Sequence, residues 1–434
     1  MKTKISSFLK ERLDRFKPEE ANKLNLRRLQ KIDFSGKMHF LDNKKTNTNM
    51  ILIKNGDLVI SGINVEKGAI AIYQGEEDIT ATIHYSSYGF DEKKIDVEYF
   101  KRFLKSKIFR DIVNAQIGGG IKTELKPKRF LPLEIDLPDL KIQKQILKKI
   151  QSMEKEIRQL EQSVSHDKKR LPSLRQSILS EAVQGKLVSQ NPKDEPASEL
   201  LKKIKVEKEE LIKEGKIKKG KELPPIEEDE VPYELPKGWV WTRLGEVCTL
   251  VTDGTHYTPR YVKEGVPFLS VKDMSHGKIN FSNSKFISKE EHEELTKRCK
   301  PEYMDLLLTK VGTTGIGRLV DTKQEFSIFV SVALLKYSQE LIYPYYLEHL
   351  INSPFVKNQS SEGTEGVGNK NLVLRKIVNF LVPLPPLAEQ RRIVEKVDSL
   401  MKFCDELGLK IKENKKSSEN LMGAVLKESF ENGK

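Results

Sequence analysis

Cysteine is scarce in this sequence. Cys248, Cys299 and Cys404 lie far apart, and no two form a Cys-x-x-Cys pair. That spacing argues against a disulfide framework or a zinc ribbon and fits a reducing cytoplasm. Long apolar runs are missing as well: none approaches the ~20 residues that span a bilayer. The first residues, Met1-Lys2-Thr3-Lys4-Ile5, lead into a charged pattern unlike a secretory signal. No membrane partner is expected.

Catalytic signatures are equally thin. Every Gly-Lys pair lacks the Ser or Thr that would complete a phosphate-binding loop. His292-Glu293-Glu294-Leu295-Thr296 begins like a zinc-binding helix but has no second histidine, so no metal site is expected. Gly312-Thr313-Thr314-Gly315-Ile316-Gly317 misses the Gly-x-Gly-x-x-Gly spacing of a dinucleotide site. No Asn-Pro-Pro-Tyr or Asp-Pro-Pro-Tyr is present, the element with which amino-methyltransferases hold a flipped adenine. Pro192-Lys193-Asp194-Glu195 resembles a nuclease motif but lies in a charged stretch without flanking strands. The chain is expected to be no enzyme and to bind no cofactor itself.

What is present is charge and repetition. A formal net charge of +13 over 434 residues suits a polyanionic partner, nucleic acid first among them; the alternative is a basic protein with no such partner. The stretch from Leu137-Pro138-Asp139-Leu140 to Ile146 recurs as Leu384-Pro385-Pro386-Leu387 to Ile393, an offset of 393 − 146 = 247. Each copy opens a heptad pattern. Ile146, Ile150, Met153, Ile157, Leu160 and Val164 step by 4, 3, 4, 3, 4, and Ile393, Val397, Leu400, Cys404, Leu407 and Ile411 step identically. Such a narrow seam is the coiled-coil pattern, and the simplest burial sets one seam against the other. Packing of each helix on its own globular neighbour is the alternative. Prolines mark the starts, Gly185-Lys186 a stop, and Pro172 predicts a kink or interruption.

The globular regions repeat more loosely. Asn55-Gly56 between Met50–Ile53 and Asp57–Ser61 predicts a hairpin. Strands are also expected at Ala69–Tyr73 and Ala81–Tyr85, a helix at Val97–Ile108, and a flexible loop at Gly118-Gly119-Gly120. Asp57-Leu58-Val59-Ile60-Ser61 matches Asp305-Leu306-Leu307-Leu308-Thr309, each followed by a glycine-rich loop, and Leu104 to Phe109 matches Leu350 to Phe355. The opening segments, Met1–Met50 and Tyr233–Tyr303, show no match. Between the halves, Ser189–Val231 reads as a linker with an exposed helix over Glu199–Glu222.

Three further runs stand out. They are Pro383 to Val394, with its Pro385-Pro386-Leu387-Ala388-Glu389-Gln390 core; Leu174-Arg175-Gln176-Ser177-Ile178-Leu179 with Gly185-Lys186-Leu187; and Leu235-Pro236-Lys237-Gly238-Trp239 followed by Asp253-Gly254-Thr255-His256-Tyr257-Thr258-Pro259. With the repeat, these make the chain resemble the specificity (S) subunit of type I restriction–modification enzymes, over nearly its whole length. The first copy departs from the pattern: Asp139 replaces the second proline and Ile142 the glutamate.

The resemblance implies an α+β fold with an internal pseudo-two-fold repeat. Two similar α/β target recognition domains would be separated by two long helices in an antiparallel coiled coil. The boundaries would be 1–138 for the first domain, 139–187 for the first helix, 188–232 for a charged linker, 233–386 for the second domain and 387–434 for the second helix. Each domain would read one half of a bipartite, asymmetric site in double-stranded DNA. The helices would fix the gap and dock two modification (M) subunits, which carry S-adenosylmethionine; restriction (R) subunits would add ATP- and Mg-dependent steps. The competing reading is a non-catalytic coiled-coil scaffold that shows no salt-sensitive DNA binding.

Polar and basic loop residues are the candidate DNA contacts, because base edges are read by short polar side chains and phosphates by cations. In the first region they are Ser61, Asn64, Lys67, His84, Ser86, Ser87, Lys122 and Lys126. In the second they are Thr255, His256, Lys272, Lys310, Thr313, Thr314, Arg318 and Lys370. For each, the alternative is a solvated loop residue.

Overall fold

The structure, a computed structural model, describes residues 2–41, 45–62, 69–117, 125–275, 277–365 and 370–431. It divides into two compact units, Met1–His166 with Ile411–Lys434, and Asp167–Lys410. The boundaries fall inside the two long helices, so each unit holds one globular region and a piece of both helices.

Unit 1 runs β1 (Lys2–Lys4), β2 (Leu9–Glu11), β3 (Arg15–Phe16), α1 (Pro18–Lys23), β4 (Arg28–Ile32), β5 (Met38–Leu41), β6 (Met50–Ile53), β7 (Leu58–Ser61), β8 (Ile70–Ile72), β9 (Ile79–Thr82), β10 (Tyr85–Phe90), α2 (Val97–Lys105), α3 (Lys107–Ile117), α4 (Pro127–Phe130), β11 (Glu134–Asp136) and the first part of α5 (Leu140–Val183). One antiparallel sheet has the order β2-β10-β7-β8, a second β3-β6-β9-β4-β5, and β1 pairs with β11.

The expected hairpin at Asn55-Gly56 does not form. The turn is there, with Gly56 at φ +82° and Asp57 N donating to Lys54 O at 3.0 Å. It carries the chain from one sheet to the other instead. Neither strand can be an edge partner of its neighbour: β6 lies between β3 and β9, and β7 between β10 and β8. The strand expected across Ala81–Tyr85 is two strands, β9 and β10, joined by a turn at Ile83-His84. The helix expected over Val97–Ile108 breaks at Ser106, whose Oγ caps the next helix by accepting from Phe109 N at 3.2 Å. The glycine run at 118–120 lies outside the described residues.

Unit 2 holds the end of α5, then α6 (Ala197–Lys213), β12 (Val240–Arg243), α7 (Leu244–Val247), β13 (Leu250–Asp253), β14 (Tyr261–Val262), β15 (Val266–Leu269), β16 (Lys285–Ile287), α8 (Lys289–Thr296), β17 (Leu306–Thr309), β18 (Gly317–Leu319), β19 (Ser327–Ile328), β20 (Val332–Lys336), α9 (Pro344–Asn352), α10 (Pro354–Glu362), β21 (Thr364–Glu365), β22 (Asn371–Leu372), α11 (Leu374–Val378), β23 (Leu381–Leu384) and the start of α12 (Leu387–Glu431). Its main sheet is β13-β20-β17-β18, again antiparallel throughout. The stretch read as a charged linker is partly structural. Ala197, Leu200 and Ile204 of α6 are buried in the core of this unit, and Lys208 Nζ donates to Gly245 O at 2.7 Å.

The repeat therefore reaches the opening segments that show no sequence match. β1–β11 corresponds to β12–β23, and β2-β10-β7-β8 to β13-β20-β17-β18. It is held by a buried glutamine in each half. Gln143 Oε1 accepts from Asp96 N at 2.7 Å and its Nε2 donates to Pro138 O at 2.8 Å. Gln390 Oε1 accepts from Tyr343 N at 2.9 Å and its Nε2 donates to Pro385 O at 3.1 Å. Asp96 and Tyr343 cap α2 and α9, so each glutamine ties the start of a long helix to the start of a domain helix. Ser106 and Ser353, the next breaks, keep the same 247-residue register, one residue away from the pairing of Leu104 with Leu350.

Helix α5 passes through Pro172 without interruption and stops where Gly185 takes φ +68°, with Lys186 N donating to Glu181 O at 3.0 Å. The seam is not uniform. Ile146 and Ile150 join the core of unit 1, while Ile393, Val397 and Cys404 join that of unit 2. Ile157 is buried, Met153, Val164, Leu400, Leu407 and Ile411 are half-buried, and Leu160 is 53% exposed. The start of each seam thus packs on its own globular neighbour, because the glutamine staple holds the first turns against that domain. Among the described residues no helix is long and apolar enough to cross a membrane.

Candidate nucleic-acid interface

In unit 1 three loops meet at the end of β7. Ser61 pairs with Tyr85 in the sheet, which leaves Gly62 N to donate to His84 O at 3.1 Å. Leu125 N then donates to Gly62 O at 2.9 Å. The same junction forms after β17 in unit 2: Lys310 N donates to Ser331 O at 2.9 Å, and Leu372 N to Lys310 O at 2.7 Å. Gly312 N extends it by donating to Lys370 O at 2.9 Å. Each junction thus gathers the loop after the matched strand, the turn before the next strand, and the segment after the second domain helix.

These junctions bring most of the sequence-predicted contacts together. His84, Lys126, Thr313 and Lys370 are exposed at them, and Ser86 and Thr314 are half-buried. Thr314 Oγ1 lies 3.2 Å from Thr364 Oγ1. Lys272 is exposed beside Val271, whose N–H reaches Ser331 Oγ at 3.1 Å. Arg318 sits further along, half-buried on β18; its Nη1 donates to Gly317 O at 2.9 Å and its Nε is buried without a partner. Burial draws its pKa below the usual range. Asn64, Lys67 and Lys122 lie outside the described residues.

Four expectations do not survive. Ser61, Ser87, Thr255 and Lys310 are buried. Ser87 Oγ donates to Asp57 Oδ2 at 2.8 Å, and Thr255 Oγ1 bonds the backbone of Tyr257 at 3.3 Å. Lys310 Nζ donates to Asp253 Oδ2 at 3.2 Å and to Val330 O at 3.3 Å. A cation already neutralised by a buried carboxylate has no free edge for DNA, and removing either partner would leave the other charge stranded. These residues shape the junction from beneath.

The buried carboxylates were the features that sequence reasoning missed. Asp57 takes the guanidinium of Arg12 through both oxygens, with Nη2–Oδ1 at 2.8 Å, and accepts Lys54 N at 2.9 Å. Asp253 takes Lys310, the Nη2 of Arg298, and His256 Nε2 at 3.1 Å. Gly254 is required beside it, since a Cβ there would lie 1.9 Å from Ile328 O, the carbonyl that accepts Thr255 N at 3.1 Å. Arg12 and Arg298 each stand 45 residues from their partners, and no local pattern marks such a pair. Tyr257 OH donates to Glu291 Oε1 at 3.0 Å, which pushes the Tyr257 pKa up.

This twice-built α+β frame has counterparts among known proteins. Residues 236–414 match the type I restriction modification DNA specificity domain. Relatives include the type I restriction enzyme EcoAI specificity subunit of Escherichia coli, 33% identical over 258 residues. That alignment covers 58% of this chain and 44% of the relative. The EcoEI specificity subunit of Escherichia coli is 31% identical, with 59% and 44% covered. The chain thus spans less than half the length of these two curated relatives. Among solved structures, the HsdS subunit from Thermoanaerobacter tengcongensis superposes with a TM-score of 0.58 at 17% identity, covering 100% of this chain and 97% of that one. A chain from a structure of type I R-M complex assembly and conformational transition gives 0.61 at 16% identity, covering 99% and 97%. These structures share the fold.

Proposed function

We propose that this chain is the DNA-specificity subunit of a type I restriction–modification enzyme, each globular region reading one half of a bipartite, asymmetric site. The observation that carries the reading is the junction built twice on one frame with different chemistry. His84 and Lys126 are exposed at the first junction, and Thr313 and Lys370, with half-buried Thr314, stand at the second. Different side chains on one scaffold are what two different half-sites require. The contacts we propose are His84, Ser86, Lys126, His256, Lys272, Thr313, Thr314, Arg318 and Lys370, together with Asn64, Lys67 and Lys122, which lie outside the described residues.

The two long helices act as an antiparallel coiled coil that fixes the gap between half-sites. Two ion pairs support this reading. Near the start of α5, Lys149 Nζ bonds Glu428 Oε1 at 3.2 Å, close to the end of α12. Near the end of α5, Arg175 pairs with Asp405, in the first half of α12. The helices also dock two modification subunits, which bring S-adenosylmethionine to methylate adenine. Restriction subunits with ATP and Mg complete the complex in the cytoplasm, and this chain contributes recognition without catalysis.

Methylome sequencing of cells with and without the gene tests the reading. The expected outcome is one bipartite methylated motif that disappears with the gene; an unchanged methylome refutes it.

A further inference from the structure

The Asp253 cluster holds more positive charge than its burial requires. Asp253 and Lys310 satisfy one another, their side chains being 4% and 5% exposed. That pair already leaves no buried charge unmatched. Arg298 is a second cation on the same carboxylate, and it is 55% exposed. Lys310 already neutralises the buried carboxylate, so the second cation is surplus to charge balance there.

Its geometry is nevertheless fixed. Arg298 Nη2 bonds both Asp253 Oδ1 and Asp253 O, the latter at 3.1 Å. Nε and Nη1 have no hydrogen-bond partner among the described residues. The guanidinium is thus held by one nitrogen and offers its other donors outward. The loop that carries Asp253 is pinned, because Thr255 bonds Ile328 O on one side and Val330 N on the other. His256, on the same carboxylate, is 64% exposed beside it. A guanidinium with free, oriented N–H donors suits the paired acceptors of a phosphodiester or of a guanine edge.

The corresponding Asp57 cluster of the first half is arranged differently. Arg12 commits both Nε and Nη2 to Asp57 and is 28% exposed, and the other side-chain partner of Asp57 is the neutral Ser87. Charge and carboxylate cancel there.

We propose that Arg298 contacts DNA directly in the second recognition domain and that Asp253 is its positioning residue, a device that the described residues of the first domain do not repeat. This rests on the DNA-specificity reading. The test is the methylome of cells expressing the gene with its own partner subunits, as wild type, Arg298→Ala, or Asp253→Asn with Lys310→Met. The paired change removes both buried charges together, so the fold keeps no stranded cation.

The expected result for Arg298→Ala is at least a tenfold loss of methylation at the wild-type motif, or a base preference relaxed in one half-site only, with the melting temperature of the purified chain unchanged. Asp253→Asn with Lys310→Met should relax the same half-site. Wild-type methylation by the Arg298→Ala chain overturns the contact. Relaxation of neither half by the paired variant, or uniform loss accompanied by lowered melting, overturns the positioning role. If the wild-type chain directs no methylated motif, the specificity reading itself fails and this inference with it. A wild-type motif untouched by Arg298→Ala removes this inference alone.

Discussion

At the scale of single residues, the same position in the two halves is filled by different chemistry, and in the second half that chemistry responds to pH. Arg102 ties α2 to α5 through a two-point contact with Glu154, at 3.0 and 2.9 Å. Its counterpart one repeat later is His349, whose Nε2 lies 3.4 Å from Asp398 Oδ1. Burial lowers the His349 pKa from its ordinary value, and Asp398 only partly opposes this. The unfolded chain therefore takes up the proton first as pH falls. The contribution to stability is fully present above about 6.5, the unfolded value, and is lost as pH falls towards the depressed folded value. Unfolding of unit 2, followed by urea melts between pH 7.5 and 5, should lose stability across that window. In His349→Gln the loss should be smaller, although His292, also lowered by burial, leaves part of it in place. Equal slopes in both proteins would assign the effect elsewhere.

At the scale of elements, the buried glutamines explain why the long helices begin where they do. Gln390 fills the acceptor and donor needs of Tyr343 N and Pro385 O at once. Gln390→Ala leaves both groups buried and unpaired, a cost of about 2 kcal/mol. Denaturant unfolding should show that loss in the second unit, and Gln143→Ala should give it in the first. A midpoint that does not move would mean water replaces the side chain. Much of this frame was legible beforehand, because heptad spacing and a repeated Leu-Pro run are local signals that a helix start and seam must obey. The two-sheet layout was not. Asn55-Gly56 encodes a turn but not which strand the chain meets after it, and that choice is set by apolar faces brought together from distant segments. Which loop residues stay exposed was not legible either. Lys310 looks like any loop lysine until Asp253, 57 residues away, is seen beneath it.

At the scale of the molecule, the two halves differ in what closes them. The end of α12 returns to the first unit, where Phe430 packs edge-on against Tyr99 and Phe103 at 5.3 and 5.5 Å. The first region's core is thus completed by residues from the far end of the sequence. This constrains any change of helix length, because both ends of α5 and α12 are anchored by their domains and only the middle is spare. Leu160, exposed in that middle, marks the least committed part of the seam. Removing one heptad from the middle of both helices keeps the a and d positions in phase and shortens each by about 10 Å. On our proposal the variant folds, still reads the same two half-sites, and prefers a gap shorter by about three base pairs, since duplex DNA rises ~3.4 Å per step. Sequencing the methylated motif of a strain carrying it measures that gap directly. The same two half-sites at an unchanged spacing would show that the rod does not measure the distance.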